Sequence, residues 1–348
     1  MKPTTFRQTA GIAALLLGPA CAAYASVPAD AEALVKKGDN AAAIALLEPA
    51  AAKGDNSAKA TLALYLFGLP APFTNVQRAC KLAQESSDAG EALGMIVRAD
   101  CLMSGNEQAA HPFDEARKLA RKAQAAGLPG GGFELYKIFM ADPQYRIISE
   151  GKPDQVKYRQ LAELPIARRG EQIEALNGLA FAAVRGNTAA MMPMLGYLIE
   201  TTAPKNAGRA TYLADLMQKN GMAIPAPFTF VVQKAQWLTQ LGDSNVSVKI
   251  FDQAYDKIAQ SVAEQFSAGK AGSCNAKDVK LTAMAAEPIT DAQYLPLTEF
   301  LTSSYLVHGS WNETWTFTGC GKTLSVKAAF KADGWGNAAF EFKVPLQR

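Results

Sequence analysis

The sequence predicts a mainly α fold: an α/α superhelical solenoid of helix pairs, followed by a small antiparallel β module. Three observations predict it. First, one phrase recurs as Ala43-Ile44-Ala45-Leu46-Leu47, Ala79-Cys80-Lys81-Leu82-Ala83, Ala116-Arg117-Lys118-Leu119-Ala120 and Ala210-Thr211-Tyr212-Leu213-Ala214. Each copy begins eleven residues before a glycine, at Gly54, Gly90, Gly127 and Gly221. Second, the first three of these glycines follow one another at steps of 36 and 37 residues, a period that belongs to stacked helical units. Third, the apolar spacing changes to two near the C-terminus, where Leu324, Val326, Ala328 and Phe330 alternate with Thr323, Ser325 and Lys327.

In chain order, residues 1–25 have the pattern of a secretory leader. Lys2 and Arg7 precede a short apolar run, and Ala23-Tyr24-Ala25 supplies small residues for cleavage. The run is too short to span a bilayer. Cys21 raises the rival reading of a lipidated cysteine, but Gly18-Pro19-Ala20 departs from the pattern that modification wants. Without the leader, the net charge falls from +3 to +1. No nucleic acid and no anionic membrane surface is expected as partner, since both need a concentrated basic patch.

Residues 26–225 are the expected helical stretch. A partial helix over 27–38 is followed by one over 41–53, capped by Asp39-Asn40, with Ala43, Leu46 and Leu47 inward and Pro49 as a kink or early end. Further helices are expected over 58–67, from a cap at Thr74 or Asn75 to Asp88, over 92–103 and over 114–126, with Asp114 as the N-cap of the last. Gly127 to Gly132 reads as a loop, residues 133–140 begin another helix, and 141–153 interrupt the period. Residues 154–221 continue the pattern in weaker form, with Gly186 marking a copy. In each unit the alanine lets helices approach, the leucine three residues later fills the layer, and the glycine permits the reversal.

These features resemble the Sel-one-like repeats, relatives of the tetratricopeptide repeats with a slightly longer unit. The resemblance rests on small residues and Leu at fixed spacing, on Ala89-Gly90 and Ala126-Gly127 at the end of second helices, and on the glycine-rich loop. It covers residues 39–140 best. The family's usual aromatic residue in the second helix is absent from most copies. The resemblance implies a superhelix whose concave wall binds another protein.

Residues 226–270 are expected to form a helical cap. Helices over 231–241 and 246–266 are divided by Gly242-Asp243-Ser244-Asn245, and Val248, Phe251, Tyr255, Ile258, Val262 and Phe266 share one side of the second. Residues 271–348 are the β module. Val279, Leu281 and Ala283 begin it, Asp333 to Asn337 is a turn, and Phe340, Phe342 and Val344 return with Glu341 and Lys343 outward.

An even number of cysteines, Cys80, Cys101, Cys274 and Cys320, remains in an exported chain and points to disulfides. Cys80 lies ten residues before Gly90 and Cys101 eleven after, so a helical hairpin bent at Gly90 brings them opposite each other. Such a bridge contributes about 3 kcal/mol on the chain-entropy estimate. Cys274 with Cys320 would staple the small β module.

Little else has the spacing of a chemical site. His111 and His308 stand apart from any metal-ligand pattern. Gly319-Cys320-Gly321-Lys322-Thr323 ends like a phosphate loop but lacks its first glycine, with Thr316 there instead, and a strand follows where a helix is required. Arg168-Arg169, Arg117 and Arg121 read as solvated helix faces. Trp311, Glu313 and Trp315 share one strand face. They are either a core edge in which Glu313 accepts a hydrogen bond, or an exposed aromatic ligand platform. The expected function is that of a non-enzymatic periplasmic or secreted adaptor without cofactor, metal or membrane span, binding a protein or peptide. The alternative is an exported enzyme or carbohydrate-binding protein with its site in the β module.

Overall fold

The computed structural model describes residues 19–146, 148–149, 152–201, 203, 208–268 and 274–345. Most of the expected leader, residues 1–18, lies outside them. So do residues 271–273 at the expected start of the β module. The fold is mainly helical, with 59% of residues in helix and a small antiparallel sheet at the C-terminus. The chain divides into two compact units, Met1–Cys101 and Leu102–Arg348.

The first unit contains α1 (Pro19–Lys36), α2 (Asn40–Ala52), α3 (Asn56–Gly68) and α4 (Val76–Asp88), and α5 (Ala92–Met103) begins within it. Its core gathers Ala43, Leu47, Ala58, Leu62, Leu66 and Ala79. Local chemistry sets the joints. Asp39, Asp55 and Asn75 accept from the backbone N–H of Ala42, Ala58 and Arg78 at the starts of α2, α3 and α4. Pro49 is accommodated within α2, which continues to Ala52.

The second unit contains α6 (Pro112–Ala125), α7 (Pro129–Ala141), α8 (Gln155–Ala162), α9 (Gly170–Val184), α10 (Thr188–Thr201), α11 (Gly208–Lys219), α12 (Ala226–Thr239) and α13 (Val248–Ser267). Within the expected interruption β1 (Ile148–Ser149) pairs antiparallel with β2 (Lys152–Pro153). The sheet contains β3 (Lys280–Ala286), β4 (Thr290–Tyr294), β5 (Leu306–Gly319), β6 (Lys322–Ala332) and β7 (Ala338–Lys343). Its order is β3-β5-β6-β7, and β4 pairs with the other end of the long β5.

Six helices end in the same way. Gly38, Gly54, Gly90, Gly127, Gly186 and Gly221 all have φ between +72° and +91°. In each case the glycine N–H reaches back three residues and the next N–H reaches back five. Gly90 N bonds to Ser87 O at 2.9 Å and Glu91 N to Ser86 O at 3.0 Å, and Gly186 and Asn187 repeat this on Ala183 and Ala182. This is the Schellman closure, which satisfies terminal carbonyls and favours glycine at the left-handed residue. The alanine eleven residues earlier is buried at Ala43, Ala79, Ala116, Ala175 and Ala210.

Several expectations need correction. Leu46 is 37% exposed, whereas of the other leucines three residues after the alanine Leu213 is fully buried and Leu82 and Leu119 are half-buried; the residue four after the alanine is buried in every copy, at Leu47, Ala83, Ala120 and Ala214. Positions four apart lie nearly in line on a helix, so both meet the neighbour. The N-cap of α6 is His111, because Pro112 fits the first helical position, and Asp114 falls in the first turn. Gly130 to Gly132 belong to α7. Gly132 faces Gly178 of α9 backbone to backbone, an approach that no side chain would permit.

Helix α13 was expected as a cap on the repeats. It does pack against α10, and its buried residues Phe251, Ile258, Val262 and Phe266 also share one core with Trp315, Phe317, Val326 and Phe330 of the sheet. The sheet therefore has its covering helix outside the 271–348 boundary. In β3 a register shift between Leu281 and Ala283 ends the simple alternation, leaving Ala283 exposed and Met284 buried. A second core joins α9, α10 and α11 to Leu295, Leu297, Leu301 and Tyr305 from the stretch between β4 and β5.

Candidate binding sites

The four cysteines pair as expected. Cys80 and Cys101 form one disulfide, with Cα atoms 5.7 Å apart, and Cys274 and Cys320 the other, at 6.1 Å. The first is buried, whereas Cys320 is exposed in the turn from β5 to β6. Cys320 and Gly321 there have φ of +52° and +72°, the geometry of a tight hairpin turn rather than a phosphate loop.

The aromatic triplet on β5 is not an exposed platform. Glu313 and Trp315 are fully buried and Trp311 is 5% exposed. Glu313 Oε1 accepts from Trp311 Nε1 at 2.9 Å and from Asn245 N at 2.7 Å. Its Oε2 accepts from Trp315 Nε1 and Ser244 Oγ, both at 2.9 Å. Period two correctly placed the three on one face, and α13 covers that face. A buried carboxylate with four donors is satisfied, and its effect is to tie the turn before α13 to the sheet.

Two arginines read as solvated are buried. Arg117 is 5% exposed and pairs with Asp114 at 2.8 Å, Asp142 at 2.7 Å and Glu171 at 3.0 Å. Its position beside Ala116 corresponds to Cys80 beside Ala79, which is also buried, and that equivalence was the available signal. Arg169 is 4% exposed. It donates to the carbonyls of Leu164 and Gly334 at 2.8 Å, to that of Ala162 at 2.5 Å and to Gln172 Oε1 at 3.4 Å. Burial pushes its pKa down. Arg121, by contrast, is exposed and paired with Glu174.

The side chains around Arg169 join α8 and α9 to the tip of the sheet. Trp335 stacks on Tyr158 at 4.9 Å and donates to the Tyr158 carbonyl at 3.2 Å. Tyr305 stacks on Tyr197 at 5.6 Å and accepts from Gln172 Nε2 at 3.0 Å. Burial, reinforced by neighbouring Asp333, pushes the Tyr158 hydroxyl up to about 12. Beside this junction opens a cleft of about 490 Å³, lined by Arg159 and Glu163 at the end of α8, by Arg169, and by His308, Lys331 and Asp333 of the sheet. His308 is exposed, with Nδ1 3.2 Å from the Asp291 carbonyl oxygen.

Large apolar side chains also stand exposed on two neighbouring helices. Phe230 and Trp237 of α12 are 61% and 42% exposed, and Tyr212 of α11 is 52% exposed. Gln236 Nε2 donates to Thr211 Oγ1 at 3.1 Å between the two helices. Among the described residues no group of His, Cys, Asp and Glu could hold a metal, and no helix is long and apolar enough to cross a membrane.

The chain matches no protein-family model, no curated protein and no solved structure.

Proposed function

We propose that this chain is an exported, non-enzymatic adaptor built of Sel-one-like helix pairs, which binds a protein or peptide partner. The observation that carries the reading is the recurrence of one joint. Six helices close on a left-handed glycine with the same pair of hydrogen bonds, and five of the six carry a buried alanine eleven residues earlier. One helix pair cannot bury its apolar face alone, so units of this kind stack and present side chains on a rigid frame. The two disulfides are compatible with an oxidising, extracytoplasmic location.

The exposed aromatic residues of α11 and α12 supply the apolar anchors that such a surface needs. The test is affinity capture from the native envelope fraction with the parent chain and with Tyr212→Ser/Phe230→Ser/Trp237→Ser. A partner held by the parent and lost by the variant, with both showing the same far-UV spectrum, supports the adaptor. Equal capture by both removes these anchors from the reading.

A further inference from the structure

We propose that the cleft between α8 and the sheet is a binding site for an oxyanion, a carboxylate or phosphate group carried by a small acid or by an acidic peptide side chain. One of its lining residues is Arg169, which carries a guanidinium. That group is almost fully buried, yet its hydrogen bonds run only to uncharged oxygens, those of Leu164, Ala162, Gly334 and Gln172. No carboxylate among the described residues pairs with it. A buried charge is ordinarily balanced by an opposite one. Here the residue that carries the cation lines a cavity, and the low-dielectric surroundings let its field reach further than it would in water.

The walls add charge of the same sign. Arg159 and Lys331 are exposed, and their side chains make no ion pair among the described residues. His308 lies opposite Gln293 on β4, and Lys331 lies opposite Ser310, two residues along β5 from His308. Both side chains are exposed, and both line the cleft. Two carboxylates also line the cleft. Asp333 is already engaged by the backbone N–H groups of Trp335 at 2.8 Å and Asn337 at 3.1 Å, and by the Tyr158 hydroxyl. Glu163 is exposed at the helix end. Three permanent cations thus face two carboxylates, one of them occupied.

Guanidinium and ammonium groups recognise carboxylate and phosphate by charge-assisted hydrogen bonds. A volume of about 490 Å³ suits a small acid or one side chain of a peptide. The site is independent of whether the helix pairs hold a partner.

The experiment is isothermal titration of the full chain with citrate, pyrophosphate and a hexaglutamate peptide. The parent is compared with Arg159→Gln/Lys331→Gln and with a remote charge control, Lys118→Gln/Lys122→Gln, after thermal melts establish that all three fold. At least one probe should bind the parent with a Kd below about 1 mM and bind the cleft variant about tenfold more weakly, with the control little changed. Tighter binding of hexaglutamate identifies a peptide source, and tighter binding of citrate or pyrophosphate a free small acid. Absence of binding by every probe up to about 10 mM, or equal weakening in both variants, overturns the site.

Discussion

Replacing Gly178 by alanine tests the close backbone crossing of α7 and α9 in the second unit. An added Cβ would lie 2.6 Å from the Gly132 carbonyl oxygen and 3.2 Å from its carbon. An ordinary contact begins near 3.4 Å, so α7 and α9 must separate by about 0.8 Å, a gap at which dispersion contacts lose a quarter to a half of their strength. Overpacking of this kind costs about 3 kcal/mol. Alanine recovers about 1 kcal/mol in helix propensity over glycine. The net loss is therefore about 2 kcal/mol, a fall in Tm of roughly 4–8 °C for a unit of this size. Gly196 in α10 is the matched control, since nothing lies within 4 Å of a Cβ there. Gly196→Ala should raise stability by about 0.5–1 kcal/mol. Thermal and urea melts followed by far-UV circular dichroism read both. If Gly178→Ala is as stable as the parent, or if the two substitutions behave alike, the close backbone crossing is refuted.

Three further outcomes are expected. Glu313→Gln leaves at least one of the four donors facing an amide NH₂, and should cost about 2–4 kcal/mol with loss of near-UV tryptophan ellipticity; an unchanged urea midpoint would contradict the buried network. In graded dithiothreitol, alkylation and mass spectrometry should find Cys274 and Cys320 labelled before Cys80 and Cys101, because Cys320 is exposed and the other bridge is buried; the reverse order would count against these burials. Burial raises the pKa of Tyr197 and Tyr305, and that of Tyr145 and Tyr158 to about 12. The stability these neutral hydroxyls contribute is present below the unfolded value near 10 and is lost as pH rises toward 12. Absorbance at 295 nm should accordingly titrate at higher pH in the folded chain than in concentrated urea, and coincident curves would refute the burial.

Much of the helical layout was legible because its causes are local. A glycine that must turn left-handed and a small residue at a fixed distance before it are both visible in sequence, and Asp39 and Asn75 cap as their side chains dictate. Gly130 to Gly132 was misread because glycine usually breaks helices, and the demand for a bare backbone comes from Gly178, far along the chain. Burial of Arg117 and Arg169 was hidden for the same reason: Asp142 lies 25 residues from the one, and Gly334 lies 165 from the other. Period two put Trp311, Glu313 and Trp315 on one side of β5, but only α13 decides that this side faces inward. The cleft beside Arg169 draws on α8, β4, β5 and β6, and no single stretch carries its pattern.

Site-specific photo-crosslinking in the native envelope addresses the adaptor reading most directly. A photoreactive residue is placed in turn at Tyr212, Phe230 and Trp237, and for comparison at Glu341 and Lys343 on the polar side of the sheet. One common partner should be captured from the three helix positions and be absent from the two sheet positions. The same profile at all five positions, or no crosslinked protein at the helix positions, would contradict it.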